Sequence, residues 1–359
     1  RDIRTGPRSI DHLNAYRKPD LQKMAYDILI TNHSLKDLAG SELYTLELAQ
    51  DFISKGHNVT VATFAYDYPM RQLFDKNGIA VTNILNEKLN KTNFDLIWAH
   101  HAHVLNYCID TNELESKFVI HSCLSPYEPL ELPPTYANRL SICIANSRET
   151  MKHMVDIGVN PEKIIVLNNS VSHKNMSKAI TYNRDVTQIK SVAIISNHIP
   201  QEVLDSVQFI RKNGIYVELF GIGNRIELID SENISKFDGV ITIGRTTQLA
   251  MCLGIPVYCY DRFGGPGWIT KQNFERAEFF NYSGRCTPRK IEPESICSEI
   301  AIEHKEALND AKELQTIARD RYSLQKNVDL AISALKEPLS LPDLITKERL
   351  SIHNSRSYL

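Results

Sequence analysis

The stretch from Asp238 to Gly267, DGVITIGRTTQLAMCLGIPVYCYDRFGGPG, constrains the fold more than any other part of the chain. A short apolar run (Gly239–Ile243) meets Gly244, a helical spacing opens on Arg245-Thr246-Thr247, and a second apolar run (Pro256–Tyr260) leads into Gly264-Gly265-Pro266-Gly267. The pattern predicts strand, sharp turn, short helix, strand and glycine-rich loop. Apolar runs of this length suit strands buried on both faces, as in a parallel sheet covered by helices. In such sheets the carboxyl ends of the strands form the ligand crevice, because loop N–H groups and helix N-termini converge there. The expected ligand is an anion.

The same alternation runs through the rest of the chain. YDILIT (Tyr26–Thr31) reads as a strand, the period turns helical after Ser41-Glu42, Gly56-His57 stops that helix, and NVTVATF (Asn58–Phe64) is the next strand. This is a βαβ unit, which implies a right-handed crossover and a parallel sheet. Further strands are expected at 78–85, 94–100, 117–122, 140–145 and 163–169, with a helix over 148–155. A second series follows: a strand at 191–196, a helix over 201–212, a strand at 216–221, then the stretch first described. Helical spacing returns over 271–281 and from Pro293 to about Lys336. The expected fold class is α/β, with two Rossmann-like domains facing each other across a crevice. The expected boundaries are a lead-in over 1–24, a first domain over 25–171, a linker over 172–190, a second domain over 191–336 and a tail over 337–359.

A chain of 359 residues can bury two cores at roughly 150 residues each. Its 41 basic and 43 acidic side chains leave a net charge of −2, so no overall field recruits nucleic acid. Seven cysteines without a C-x-x-C pair, mostly inside apolar runs such as SICIA and PVYCY, predict buried free thiols in a reducing compartment. No apolar run approaches the roughly 18 residues of a membrane span, and no signal peptide is expected. The opening at Arg1 rather than Met suggests a segment of a longer protein.

Several residues carry candidate chemistry. Gly244 would let a phosphate approach, and the backbone amides of Arg245, Thr246 and Thr247 at a helix start can donate to it. The plainer alternative is a tight strand-to-helix turn. His100, His101, His103 and His121 fall at strand ends. Alternation would put His101 and His103 on one side and His100 on the other, with no Asp or Cys to complete a site, so no metal is expected. Gly221-Ile222-Gly223 lacks the third glycine of a dinucleotide fingerprint and suits a turn against a base or ribose instead.

From Tyr26 to Arg285 the chain resembles the GT-B glycosyltransferases, and more narrowly their family 4-like members. The resemblance is carried by LAGSELYTLELAQDFISKGHNVTV (Leu38–Val61), DLIWAHHAH (Asp95–His103), PEKIIVLNNSV (Pro161–Val171) and GRTTQLAMCLGIPVYCYDRFGGPGWIT (Gly244–Thr270). The trailers Asn273–Ala277 and Asn281–Arg285 complete it. Two departures stand out. The glutamate pair that holds the donor ribose in many family members is replaced by Ile241 and Leu249. The loop that usually carries an Arg and a Lys reads Ser196-Asn197-His198-Ile199-Pro200.

The resemblance implies transfer of a sugar from a nucleotide-sugar donor to a glycan or lipid-linked acceptor, retaining and without a metal or other cofactor. It implies His121 and His101 as catalytic. The implied donor contacts are Gly40, Ser41, Asn197, His198, Gly221, Gly244, Arg245, Thr246, Thr247, Gln248, Gly264, Gly265 and Gly267. The implied acceptor contacts are His103, Tyr127 and Glu128, with Glu131 near them. The expected location is the cytoplasm, at the inner face of a membrane, with further domains of a longer chain as partners. The alternative from another class is a non-catalytic sugar- or nucleotide-binding module of a glycan-assembly protein; a GT-B epimerase or phosphorylase is a further enzyme reading.

Overall fold

The computed structural model describes residues 25–177, 188–336, 338–339 and 341. The expected lead-in over 1–24, residues 178–187 of the linker and the tail apart from 338–339 and 341 lie outside the described residues.

Continuous apolar runs become central strands because helices cover both faces of the sheet they form. The first sheet is built from β1 (Asp27–Leu35), α1 (Gly40–Ser54), β2 (Asn58–Tyr66), α2 (Met70–Lys76), β3 (Ala80–Asn83), β4 (Asn93–His100), α3 (Ala102–Asn112), β5 (Glu115–Cys123), β6 (Ile142–Ala145), α4 (Arg148–Asp156) and β7 (Ile164–Val166). Its order is β3-β2-β1-β4-β5-β6-β7, and every pair is parallel. Strand order therefore reverses between β1 and β4, which places a crevice at their carboxyl ends. Even-numbered residues (Ile28, Ile30, Leu96, Trp98, Ile120) pack under α1 with Leu43, Tyr44 and Leu48. Odd-numbered residues (Leu29, Ile97, Ala99, Val119, Cys123) pack under α3 with Val104, Leu105 and Cys108.

After α5 (His173–Ser177) come β8 (Ser191–Ile195), α6 (Gln201–Lys212), β9 (Tyr216–Phe220), α7 (Ser231–Ile234), β10 (Gly239–Thr242), α8 (Gly244–Cys252), β11 (Val257–Asp261) and β12 (Gly264–Trp268). They give a second sheet of order β12-β11-β10-β8-β9, with its own reversal between β8 and β10. The α8 start and the loop after β8 share that crevice.

One expectation is corrected here. Gly264-Gly265-Pro266-Gly267 is not a loop; it is most of β12, an edge strand antiparallel to β11 with a bulge between Cys259 and Asp261. A Cβ on Gly265 would lie 2.0 Å from the Cys259 carbonyl oxygen, and one on Gly264 2.1 Å from that of Arg289. These glycines let backbone pack on backbone.

The helical tail resolves into α9 (Phe274–Phe279), α10 (Pro293–Ile302), α11 (His304–Arg321) and α12 (Leu324–Ser333). α12 does not stay with the second sheet: Leu324, Val328, Ala331 and Leu335 join the core under α1. The chain thus crosses twice between the sheets, and the crossings touch, with Val171 N–H donating to the Tyr322 carbonyl and Leu324 N–H to that of Val171. All seven cysteines are buried and free. Among the described residues no helix is long and apolar enough to cross a membrane.

Candidate active site

The second-sheet side is the start of α8. β10 ends in a buried apolar run, Ile243 is extended, and Gly244 turns the chain at a φ of 56°, in the left-handed region that favours glycine. Ile243 supplies no side-chain cap. The first-turn N–H groups of a helix have no partner within it, so this uncapped end presents several donors and a positive partial charge. Three side-chain atoms on the same turns, Arg245 Nε, Thr247 Oγ1 and Gln248 Oε1, are buried without a hydrogen-bond partner. Buried polar groups are nearly always satisfied, so such a cluster marks space for a polar ligand or water. Thr246 lies half-buried beside them.

Around this start, Asn197 and His198 are exposed in the loop after β8, where the His198 N–H donates to Ser196 Oγ at 3.0 Å. Gly221 is fitted against that loop, since a Cβ would sit 2.0 Å from the Ser196 carbonyl oxygen. Ile241 and Leu249, which stand at the positions of the family glutamates, are core residues at 2% exposure. No carboxylate reaches the site from either position.

On the first-sheet side the histidines separate by face. β4 ends at His100, His101 takes a left-handed φ of 61°, and α3 begins at Ala102. The expected strand alternation of His101 and His103 therefore fails, because His103 sits in a helix. His100 lies under α1, 5.3 Å from the Tyr44 ring between centroids. His121, on an odd position of β5, belongs to the α3 face. Both ring nitrogens of His100 and of His121 are buried without partners. Burial pushes both rings away from protonation, His100 well below the ordinary imidazole value and His121 down to about 3.

His101 is held at both nitrogens. Its Nδ1 accepts the His33 N–H at 3.0 Å, and its Nε2 faces Glu131 Oε1 at 3.3 Å. The main-chain donor fixes the tautomer with the proton on Nε2, leaving neither nitrogen open to a substrate. Glu131 is itself fixed by the Leu124 N–H at 3.1 Å. His103 Nε2 lies 2.7 Å from His33 Nδ1. Burial, with neighbouring imidazoles, lowers the basicity of both, His103 to about 4.

Gly40 is exposed at the start of α1, and the Ser41 hydroxyl donates to Glu42 Oε2 at 2.8 Å. Burial raises the Glu42 carboxyl above its ordinary value, against the Ser41 hydrogen bond. Among the described residues no hydrogen bond or ring contact joins Tyr127 or Glu128 to His33, His101 or His103; the ring beside Tyr127 is His153, at 5.9 Å. Tyr127 is 62% exposed and lies under the Arg285 guanidinium at 5.2 Å, and the Glu128 N–H donates to Ser125 Oγ.

Three bridges join the two sides. Arg245 pairs with Glu47 of α1, which also accepts from Ser172 Oγ and Asn175 Nδ2. Asn281 Oδ1 accepts from Asn169 Nδ2 at 2.9 Å and Gln248 Nε2 at 3.0 Å. Arg285 binds Glu149 through two hydrogen bonds of 2.9 and 2.6 Å. Sequence reasoning missed His33, Glu47 and Glu149. His33 was within reach, as a polar residue near the carboxyl end of a buried strand at the reversal point; the two glutamates look like ordinary helix surface. Among the described residues no group of three or more His, Cys, Asp or Glu side chains is placed to hold a metal ion.

Two Rossmann-like sheets meeting at their carboxyl ends, with the chain returning through α12, define the GT-B class. Solved structures share it. Anabaena HepE, crystallised with UDP and glucose, is 18% identical with a TM-score of 0.56 and covers 86% of this chain and 100% of its own. The lipopolysaccharide outer core galactosyltransferase WaaB is 13% identical at a TM-score of 0.52, covering 85% and 99%. A mutant of S. aureus TarM bound to fondaparinux, alpha-GlcNAc-glycerol and UDP is 10% identical at 0.57, covering 87% and 100%. Residues 38–175 match the sequence model of Glycosyltransferase Family 4. The chain accordingly has the GT-B fold, with residues 38–175 similar to the family 4 glycosyltransferase model. No curated protein matches it in sequence.

Proposed function

We propose that the protein transfers a hexose from a nucleotide-sugar, with UDP as the nucleotide, to a hydroxyl of a glycan or lipid-linked acceptor. The observation that carries this reading is the uncapped start of α8, with Arg245 Nε, Thr247 Oγ1 and Gln248 Oε1 orphaned beside it. A departing diphosphate develops negative charge, and donors already oriented towards it lower the barrier without rearrangement. UDP and UDP-glucose in the HepE structures support the choice of nucleotide.

In this reading the helix start and Arg245 meet the phosphate charge in place of a metal, and turnover persists in chelator. The anomeric configuration is retained, as NMR of the product would show. Seven free thiols suit a reducing compartment and hence the cytoplasm. Calorimetry against UDP, GDP, CMP and dTDP sugars provides the test. Saturable binding to the UDP class, weakened roughly tenfold or more in Arg245→Ala by loss of a charged hydrogen bond, is expected. Binding to none of the four by a folded protein would reject the reading. The core positions of Ile241 and Leu249 favour one second reading, a module that binds UDP-sugars without turnover; tight binding with no hydrolysis or transfer would select it.

A further inference from the structure

The α3 face of the crevice holds a pair of imidazoles that the donor chemistry does not use. His33 and His103 are both half-buried and are joined ring to ring through His33 Nδ1 and His103 Nε2 at 2.7 Å. Phe64 lies against both rings, edge-on to His33 at 5.8 Å and tilted over His103 at 5.6 Å, and Tyr107 closes the same wall. His101 anchors β1 beside them through the His33 N–H. Neither His33 Nε2 nor His103 Nδ1 has a hydrogen-bond partner among the described residues, whereas both nitrogens of His101 are engaged.

The shared bond sets what the outer nitrogens can do. Two neutral rings carry two protons, and one lies in the bridge. If His33 donates, its Nε2 is a lone pair and His103 Nδ1 carries a proton; if His103 donates, the roles reverse. In either arrangement the pair offers one donor and one acceptor, and a shift of protons exchanges them. A sugar hydroxyl also donates and accepts, so adjacent hydroxyls are met whichever way they are turned. A carboxylate or phosphate, which only accepts, matches one end alone. The lowered basicity of both rings keeps the pair neutral near pH 7.

We propose that His33 and His103 form one contact for the hydroxyl groups of a neutral sugar acceptor, with Phe64 and Tyr107 as its aromatic wall. This rests on the glycosyltransferase reading above and extends it to the acceptor side.

The test follows the histidine ring nitrogens of the full chain by 15N NMR while methyl β-D-glucopyranoside is added, with UDP in a separate titration. The glucoside is expected to shift the His33 and His103 signals saturably. His33→Phe and His103→Phe should weaken that binding roughly fivefold or more, the loss expected for one hydrogen bond, while UDP affinity stays within about twofold. His103→Gln, which keeps a donor and an acceptor, should retain most of it and guards against a folding defect. Ring signals that do not move, or Phe variants that titrate like the parent, would overturn the assignment. Failure of UDP to bind would count against the donor reading alone, because the glucoside is read at different nuclei.

Discussion

His121 shows what an isolated buried ring costs at the scale of one residue. A fully buried imidazole with no partner at either nitrogen forfeits hydrogen bonds that the unfolded chain makes to water, at about 1–3 kcal/mol. Its basicity is also depressed to about 3, chiefly by burial. The unfolded chain therefore binds the proton more readily, and stability is full above about pH 6.5 and lost as pH falls towards 3. His33, His100 and His103 shift in the same direction. Denaturant titrations of His121→Leu should show a more stable protein than the parent, with the larger gain at pH 5 than at pH 8, and with transfer lost. An equal gain at both pH values would mean that the ring is not held neutral in the native state. The sequence marked His121 by resemblance but not its isolation, which depends on the packing of α3 and β6 around it.

Glycines at the element scale divide into two kinds that look alike in sequence. In β12 the Gly265 position has no room, with a main-chain oxygen 2.0 Å from any Cβ; at the α8 start Gly244 has open space, and only its φ favours glycine. Gly265→Ala should therefore cost about 3 kcal/mol or more, as overpacking against backbone does, and lower the melting temperature by several degrees. Gly244→Ala should cost about 1–2 kcal/mol for the left-handed backbone and show its main effect on UDP affinity. If thermal melts rank the two in the opposite order, the packing role of β12 is wrong. Most strands and α6 were legible because apolar runs and 3.6-residue spacing are local signals. Gly-Gly-Pro-Gly was not, because a strand made of glycines has loop composition and its pairing with β11 depends on close backbone contact. His-His-Ala-His likewise reads as continued strand, and only the turn at His101 reveals the helix.

At the scale of the whole molecule, the crevice is held by charges on opposite walls. Arg245–Glu47 and Arg285–Glu149 are largely shielded from water, with side-chain exposures of 15%, 12%, 24% and 9%. Removing one partner of such a pair leaves the other poorly solvated, so the walls should part to let water in. Glu47→Gln combined with Glu149→Gln is expected to enlarge the radius of gyration in small-angle scattering, with circular dichroism unchanged and UDP reducing the difference. An unaltered scattering curve would show that Asn281 and the chain crossings hold the walls without the ion pairs. The two-sheet plan could be read from the order of motifs, but the ion pairs and the return of α12 join residues far apart in sequence, where periodicity carries no information.

That return bears on how such chains can diversify. A recombination joint placed in the 172–190 connection would import a foreign α12 along with a foreign second sheet, and set Leu324, Val328 and Ala331 of one parent against α1 of another. Inheritance of the two sheets as separate blocks needs a second joint near Tyr322, where the two passages of the chain touch. The natural unit of exchange is thus an insert with two ends rather than a terminal half.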